Sequence, residues 1–202
     1  MNDDKKRVAI QGERGAFSEA AAIALLGEEI ELVPRQTFEA LYNSFEERVA
    51  DYLIAPVENT IAGIVEASVQ RLRASSLVII DEVSIPISQN LIGCPGSTFA
   101  DIRVVQSHPV ALAQCSLFFA RHPALRKLEA DDTAGSVAEI IGRGDPTYAA
   151  IAGRRAAEVY GAPILRANIQ DIAENFTHFV LLAPAAQRAA TAQTKNNKEQ
   201  AS

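Results

Sequence analysis

Short β-branched apolar runs alternate with amphipathic or alanine-rich runs along almost the whole of this 202-residue chain. That alternation constrains the fold more than any other feature. Strands are expected at Val8–Gln11, Ile30–Val33, Tyr52–Val57, Leu77–Ile85, Ile102–Val105, near Leu128, at Tyr148–Ile151 and at Thr177–Leu182. Helices are expected at Ser18–Leu26, Thr37–Val49, about Ile64–Arg73, Pro109–Arg121, Ala134–Ile141 and Arg154–Tyr160, the last ending at Gly161. Strands alternating with helices imply an α/β fold, with parallel sheets covered on both faces. Val83–Ile92 carries Pro86 and a second apolar run, and reads as a crossing between two lobes. Leu165–Asn175 reads as the return crossing. The expected organisation is a flexible segment 1–7, one lobe of about 8–84 plus 166–184, a second of about 85–165, and a hinge with a central cleft. After Pro184 the chain is polar and aperiodic, so residues 185–202 read as a disordered tail.

Composition narrows the function. With 48% apolar residues, the chain can bury one large core or two smaller ones. A net charge of −6 with no basic stripe argues against a nucleic-acid partner. No apolar run approaches the roughly 20 residues needed to cross a membrane. The N-terminal stretch lacks the apolar core of a secretion signal. Cys94 and Cys115 form neither a disulfide framework nor a zinc pattern, and His108, His122 and His178 are not spaced as metal ligands. The expectation is a cytoplasmic protein acting on a small molecule.

Three strand-to-helix turns carry small hydroxyl residues: Gly12–Ser18, Ser107-His108-Pro109 and Asp131–Ser136. In each, a hydroxyl or carboxylate could cap the following helix, with Ser18, Ser107, and Asp132 or Thr133 as the candidates. Ordinary capping explains any one of them. Three together favour anion-binding donors at the carboxyl ends of strands, where open α/β folds hold ligands. Glu58 and Asn59 fall at the end of another strand. Near the last strand, Thr177 and Phe179 share one face and His178 takes the other. Cys115 reads as a small core residue and His122 as exposed.

The pieces GERGAFSEAA (Gly12–Ala21), PVENTIAG (Pro56–Gly63), SHPVALAQC (Ser107–Cys115), DDTAG (Asp131–Gly135), Tyr160-Gly161 and NIQDIAENFTHF (Asn168–Phe179) occur in this order. In them the chain closely resembles the prephenate dehydratase family, from about Val8 to Leu182, and the Asp131 turn also resembles arogenate dehydratases. The resemblance implies two α/β lobes of the type II periplasmic-binding-protein kind. It implies a lyase of phenylalanine biosynthesis that converts prephenate to phenylpyruvate, losing carbon dioxide and water, with no metal or organic cofactor. Thr177 matches the family's proton donor to the leaving hydroxyl. Asn59 and Glu58 are expected beside it, Asn59 in direct contact and Glu58 positioning. Substrate binding is expected at Ala16, Phe17, Ser18, Thr60, Ser107, His108, Thr133, Ala134, Asn175, His178 and Phe179.

His178 stands where the family has arginine. An arginine grips a carboxylate with a fixed charge and a two-pronged fork, which imidazole does not provide. Three outcomes are open: His178 binds substrate as a neutral donor with weaker affinity, it acts as a cation so that activity falls above neutral pH, or Arg14 or Arg155 takes over the carboxylate; reduced affinity is the one expected. Gln89-Asn90 likewise replaces a frequent family histidine. Alternatives are arogenate dehydratase, a non-aromatising prephenate decarboxylase, or a non-catalytic anion-binding module; the retained Thr177 disfavours the last two. The eighteen residues after Pro184 leave no room for an ACT domain or a fused chorismate mutase, so no phenylalanine feedback is expected through this chain. The resemblance also implies a homodimer or homotetramer.

Overall fold

In the computed structural model, residues 5–186 are described. The chain divides into two compact units. Among the described residues, the first comprises 5–11, Ala21–Ile85 and 177–186; the second comprises Gly12–Ala20 and Pro86–Phe176. The return to the first unit thus falls at Thr177 rather than near residue 166, and the glycine turn at 12–18 belongs with the second unit.

The first unit is built on one sheet. Its strands are β1 (Lys6–Gln11), β2 (Ile30–Arg35), β3 (Tyr52–Asn59), β4 (Gly63–Ile64), β5 (Leu77–Pro86) and β11 (Phe176–Pro184), in the order β2-β1-β3-β11-β5 with β4 against β3. β1 pairs in parallel with β2 and β3, whereas β11 runs antiparallel to β3. Val8, Ala9 and Ile10 are all fully buried, as in a central strand covered on both faces. Helix α2 (Phe38–Glu46) starts at Thr37, whose Oγ1 accepts the Ala40 N–H at 3.1 Å. Helix α3 (Glu66–Ala74) begins after β4, two residues later than the expected Ile64. Leu41 and Tyr42 of α2 pack with Leu53, Ala55, Val180 and Leu182 of the sheet. Lys6 and Arg7, expected in a flexible segment, already lie in β1. Arg7 is fixed to Asp51 by Nη2–Oδ1 and Nε–Oδ2 contacts of 2.7 and 3.2 Å. The expected tail, from residue 187 on, lies outside the described residues.

The second unit has the strand order β10-β6-β9-β7-β8, with β6 Asn90–Gly93, β7 Val104–Ser107, β8 Arg126–Glu129, β9 Tyr148–Ala152 and β10 Ile164–Arg166. Strand alternation sorts its residues into two cores. Ala149 and Ile151 face α4 (Pro109–Ala113) and α5 (Ser116–Arg121); Ala150 and Ala152 face α6 (Thr133–Arg143) and α7 (Arg154–Tyr160). The single helix expected over Pro109–Arg121 is two. Gln114 ends α4 and Cys115 leaves the helical region at φ −114, ψ 29. The cause is remote: the Asp171 carboxylate accepts the N–H groups of Ser116 and Leu117 at 3.0 and 2.9 Å and so starts a new helix there. Helix α1 (Phe17–Leu26) carries the division between the units, which falls after Ala20.

Candidate active site

In the first unit the register of β3 and β11 sets Asn59 directly opposite Thr177, 118 positions away in the chain. Both are buried, each with 9% of its surface exposed. Asn59 Oδ1 accepts the N–H groups of Ile61 and Ala62 at 3.0 and 2.8 Å. Two donors converging on one amide atom fix that atom as oxygen, so the nitrogen must face the other way. Asn59 Nδ2 accordingly donates to Thr177 Oγ1 at 2.9 Å. A hydroxyl whose oxygen receives an N–H keeps its own proton for another acceptor. The pair therefore sets Thr177 as a hydrogen-bond donor toward whatever lies beyond it.

Glu58 is exposed and pairs in register with His178. The His178 ring is held against β5: Nδ1 lies 3.2 Å from Ser84 Oγ and Nε2 3.3 Å from Glu82 Oε2. A bulge follows between His178 and Phe179, and Phe179 returns to the core. Thr60 is exposed just past the end of β3.

In the second unit the three hydroxyl turns differ from one another. Ser107 is not a helix cap. It ends β7, is 0% exposed, and its Oγ donates to the Ile151 carbonyl at 2.6 Å. The cap of α4 is His108, whose Nδ1 accepts the Val110 N–H at 3.2 Å. An accepting Nδ1 carries no proton, so the ring proton sits on Nε2. Asp132, one of the two expected caps, starts α6 by accepting the Gly135 N–H at 2.6 Å. Thr133 and Ala134 follow as the first helical residues, and the Ala134 side chain is buried in the core. Asp132 places a carboxylate at the positive end of α6, where it competes with any bound anion.

Ser18 is the second residue of α1 and buried, not a residue preceding the helix. Its turn is built by close packing on α7. A Cβ on Gly15 would stand 2.6 Å from Ala156 Cα, and Gly15 has a φ of +89°. Only glycine satisfies both conditions. A Cβ on Gly153, just before α7, would stand 2.9 Å from the Phe17 ring. Ala16 packs on the same core. Asn175 is buried, and its carbonyl accepts the Ile87 N–H at 2.8 Å.

The first unit thus brings Glu58, Asn59, Thr60, Thr177 and His178 together. The second holds Ala16, Phe17, Ser18, His108, Thr133 and Asn175. The side chains of Ser107, Ala134 and Phe179 are fully or almost fully buried, so they serve the sheets and cores around these positions. Arg155, a substitute cation in the sequence reading, is already paired with Glu19 at 2.9 Å and Glu158 at 3.6 Å. The sequence reading missed Glu19. Its signal was a lone acid in the alanine-rich run of α1. Among the described residues, no cluster of three or more His, Cys, Asp or Glu side chains is placed to hold a metal.

Two mixed sheets packed with helices make this an α/β protein that carries hydroxyl and amide side chains at its strand ends. The chain belongs to the prephenate dehydratase family, whose model matches residues 8–187. It is 37% identical over 182 residues to arogenate dehydratase/prephenate dehydratase 1, chloroplastic, of Arabidopsis thaliana, covering 90% of this chain and 46% of that protein. A crystal structure of prephenate dehydratase from Arthrobacter aurescens in complex with L-Phe superposes with a TM-score of 0.78 at 28% identity, covering 88% of this chain and 60% of that one. A structure described as GqqA, a quorum quenching acylase, superposes with a TM-score of 0.79 at 31% identity, covering 89% of this chain and 64% of that one. The chain spans less than half the length of relatives such as the Arabidopsis protein.

Proposed function

We propose that this chain catalyses the decarboxylating dehydration of prephenate to phenylpyruvate, in phenylalanine biosynthesis. The observation that carries this is the Asn59–Thr177 pair, in a chain of this family. Prephenate carries a ring carboxylate and, across the ring, a hydroxyl. As the carboxylate leaves as carbon dioxide, its bonding electrons enter the ring, the double bonds shift, and the C–O bond breaks. The departing hydroxide needs a proton, so the overall reaction consumes one and releases water. Thr177 Oγ1, held by Asn59 with its own proton directed away, delivers that proton and regains one from solvent. Threonine is too weak an acid to ionise fully at the outset, so its contribution is a placed hydrogen bond that strengthens as the oxygen becomes anionic. The aromatic ring supplies the driving force.

Substrate contacts belong to Ala16, Phe17, Ser18, Thr60, His108, Thr133 and Asn175 in this reading, with Glu58 orienting. His178 acts on β5 through Glu82 and Ser84 rather than as a carboxylate ligand. Arogenate, with an ammonium in place of the ketone, is the second substrate to test, because the Arabidopsis relative is named for both. Two free, buried cysteines fit residence in a reducing compartment such as the cytoplasm. A homodimer or homotetramer, checked by light scattering, completes the proposal.

The test is an assay of purified protein with prephenate, following phenylpyruvate absorbance in alkali, with Thr177→Ala in parallel. Aromatic product from wild type and its loss in the variant support the reading. Prephenate consumed without aromatic product means non-aromatising decarboxylation. Turnover of arogenate alone moves the substrate assignment, and inertness to both overturns the enzymatic reading.

A further inference from the structure

Glu19 is 1% exposed, an unusual place for a carboxylate. Both of its oxygens are engaged. Oε2 accepts the Gly15 N–H at 2.7 Å and Oε1 accepts Arg155 Nε at 2.9 Å. Arg155 is the second residue of α7, and its guanidinium also lies 3.6 Å from Glu158. The Glu19 hydrogen bond holds the Arg155 guanidinium even more firmly protonated than usual. One buried carboxylate therefore ties the backbone of the glycine turn to the start of α7, at the place where Gly15 already touches Ala156 and Phe17 touches Gly153. The apolar contacts set the distance between turn and helix; the charged contacts set the orientation of the Gly15 peptide. Only the carboxylate is buried; the Arg155 side chain is 37% exposed, so the desolvation of Glu19 offsets much of what its attraction to a partly solvated guanidinium adds to stability. The pair is a good device for fixing a direction.

We propose that Glu19, through Arg155, is a positioning residue for substrate binding. It holds the Gly12–Ser18 turn in the conformation in which Ala16, Phe17 and Ser18 meet the anionic substrate. This rests on the dehydratase reading above. Glu19 touches no reacting atom, so loss of its charge loosens substrate binding and leaves the chemical step nearly unchanged.

The test combines hydrogen exchange with kinetics on the full chain, comparing wild type, Glu19→Gln and Glu19→Ala. Exchange of the peptide covering residues 12–20 is expected to accelerate in both variants, more in Glu19→Ala, while the β-strand peptides of both units keep wild-type protection. KM for prephenate is expected to rise about 10-fold to 10²-fold with kcat nearly kept, the pattern of misplaced ground-state contacts. The glutamine variant, which still accepts from Gly15, is expected to recover part of that loss. Unchanged exchange in the turn overturns the proposal, and so does faster exchange with an unchanged KM. Equal losses in kcat and kcat/KM also overturn it, because they would place Glu19 in the chemical step. If Glu19→Gln loses strand protection throughout, Arg155→Lys replaces it in the same comparison. A wild type inert toward both prephenate and arogenate fails the dehydratase reading itself. That failure appears before any variant is compared, and it takes the substrate role of the turn with it.

Discussion

Thr177 and Ser107 are two buried hydroxyls at strand ends, and they differ in which way the proton goes. Thr177, on β11, receives an N–H from Asn59 and keeps its proton. Ser107, on β7, gives its proton to the Ile151 carbonyl. The difference lies in the partner. A side-chain amide turned by two backbone donors presents nitrogen, whereas a strand carbonyl presents only oxygen. One hydroxyl keeps its proton for its surroundings and the other is a structural link between β7 and β9. Residue type and burial do not distinguish them; the hydrogen-bond partner does.

The largest expected effect breaks this comparison at the acid. Thr177→Ala should lower kcat for prephenate by about 10²–10⁴-fold, the usual contribution of a placed proton donor. Its stability should fall by only about 1 kcal/mol, the cost of the lost hydrogen bond to Asn59. Thr177→Ser, which keeps the hydroxyl and the Asn59 bond, should recover most of the loss. Steady-state phenylpyruvate formation measures both, and a Thr177→Ala enzyme with wild-type kcat would remove Thr177 from the chemistry.

Asn59→Asp sharpens the same point. A carboxylate in place of the amide would accept from Thr177 and reverse the hydrogen bond, giving Thr177 the arrangement Ser107 has. A fall in kcat of about 10²-fold is expected, with little added effect in the double variant with Thr177→Ala, because residues acting as one unit are not additive. Full additivity would show that Asn59 and Thr177 act separately.

How much of this was legible in the sequence follows from where each bond runs. The α/β class, eight of the eleven strands among the described residues and the pieces of the family pattern are local, set by periodicities of 2 and 3.6 and by short motifs, whereas the short β4, β6 and β10 were not read as strands. The Asx-type turn of Asn59 onto Ile61 and Ala62 is also local. The Asn59–Thr177 pair depends on the antiparallel insertion of β11 beside β3, a register that no local pattern specifies. The helix expected over Pro109–Arg121 failed for the same reason, since Asp171 interrupts it from more than 50 positions away. Ser107 was misread as a cap because β7 continues two residues beyond Val105, taking the hydroxyl into the sheet. Glu19 lay in plain view, but its partner Arg155 is 136 positions distant.

Ser107→Ala tests the structural side of the comparison and should have a smaller effect. Removing the Oγ leaves the Ile151 carbonyl without that donor and should cost about 1 kcal/mol of stability. Denaturant unfolding measures this, with kcat falling far less than in Thr177→Ala. A loss of kcat comparable to that of Thr177→Ala, with stability unchanged, would reverse the roles assigned to the two hydroxyls.

Cys115 extends the comparison to a third buried protic group and gives the smallest effect near neutral pH. It packs in the core between the sheet and α4–α5. Burial foremost, helped by the nearby Asp171 charge, pushes its thiol from an ordinary 9.0 up to about 12. The proton is retained here by exclusion of water rather than by a partner. A thiol that ionises more readily unfolded than folded adds stability that is complete below about pH 9, and that is lost as pH rises toward the folded value of about 12. Wild type should therefore lose stability with rising pH more steeply above pH 9 than Cys115→Ala does. The cavity left by the alanine lowers the variant's curve by a constant amount, and tyrosine and lysine titrations cancel in the difference. Urea unfolding of both proteins at several values from pH 7 upward provides the test. Converging curves above pH 9 would show a proton held by the buried surroundings of the thiol, with Asp171 assisting, while parallel curves would mean that water reaches Cys115 in the folded chain, and the proton of this third group would then be held neither by a hydrogen-bond partner nor by exclusion of water.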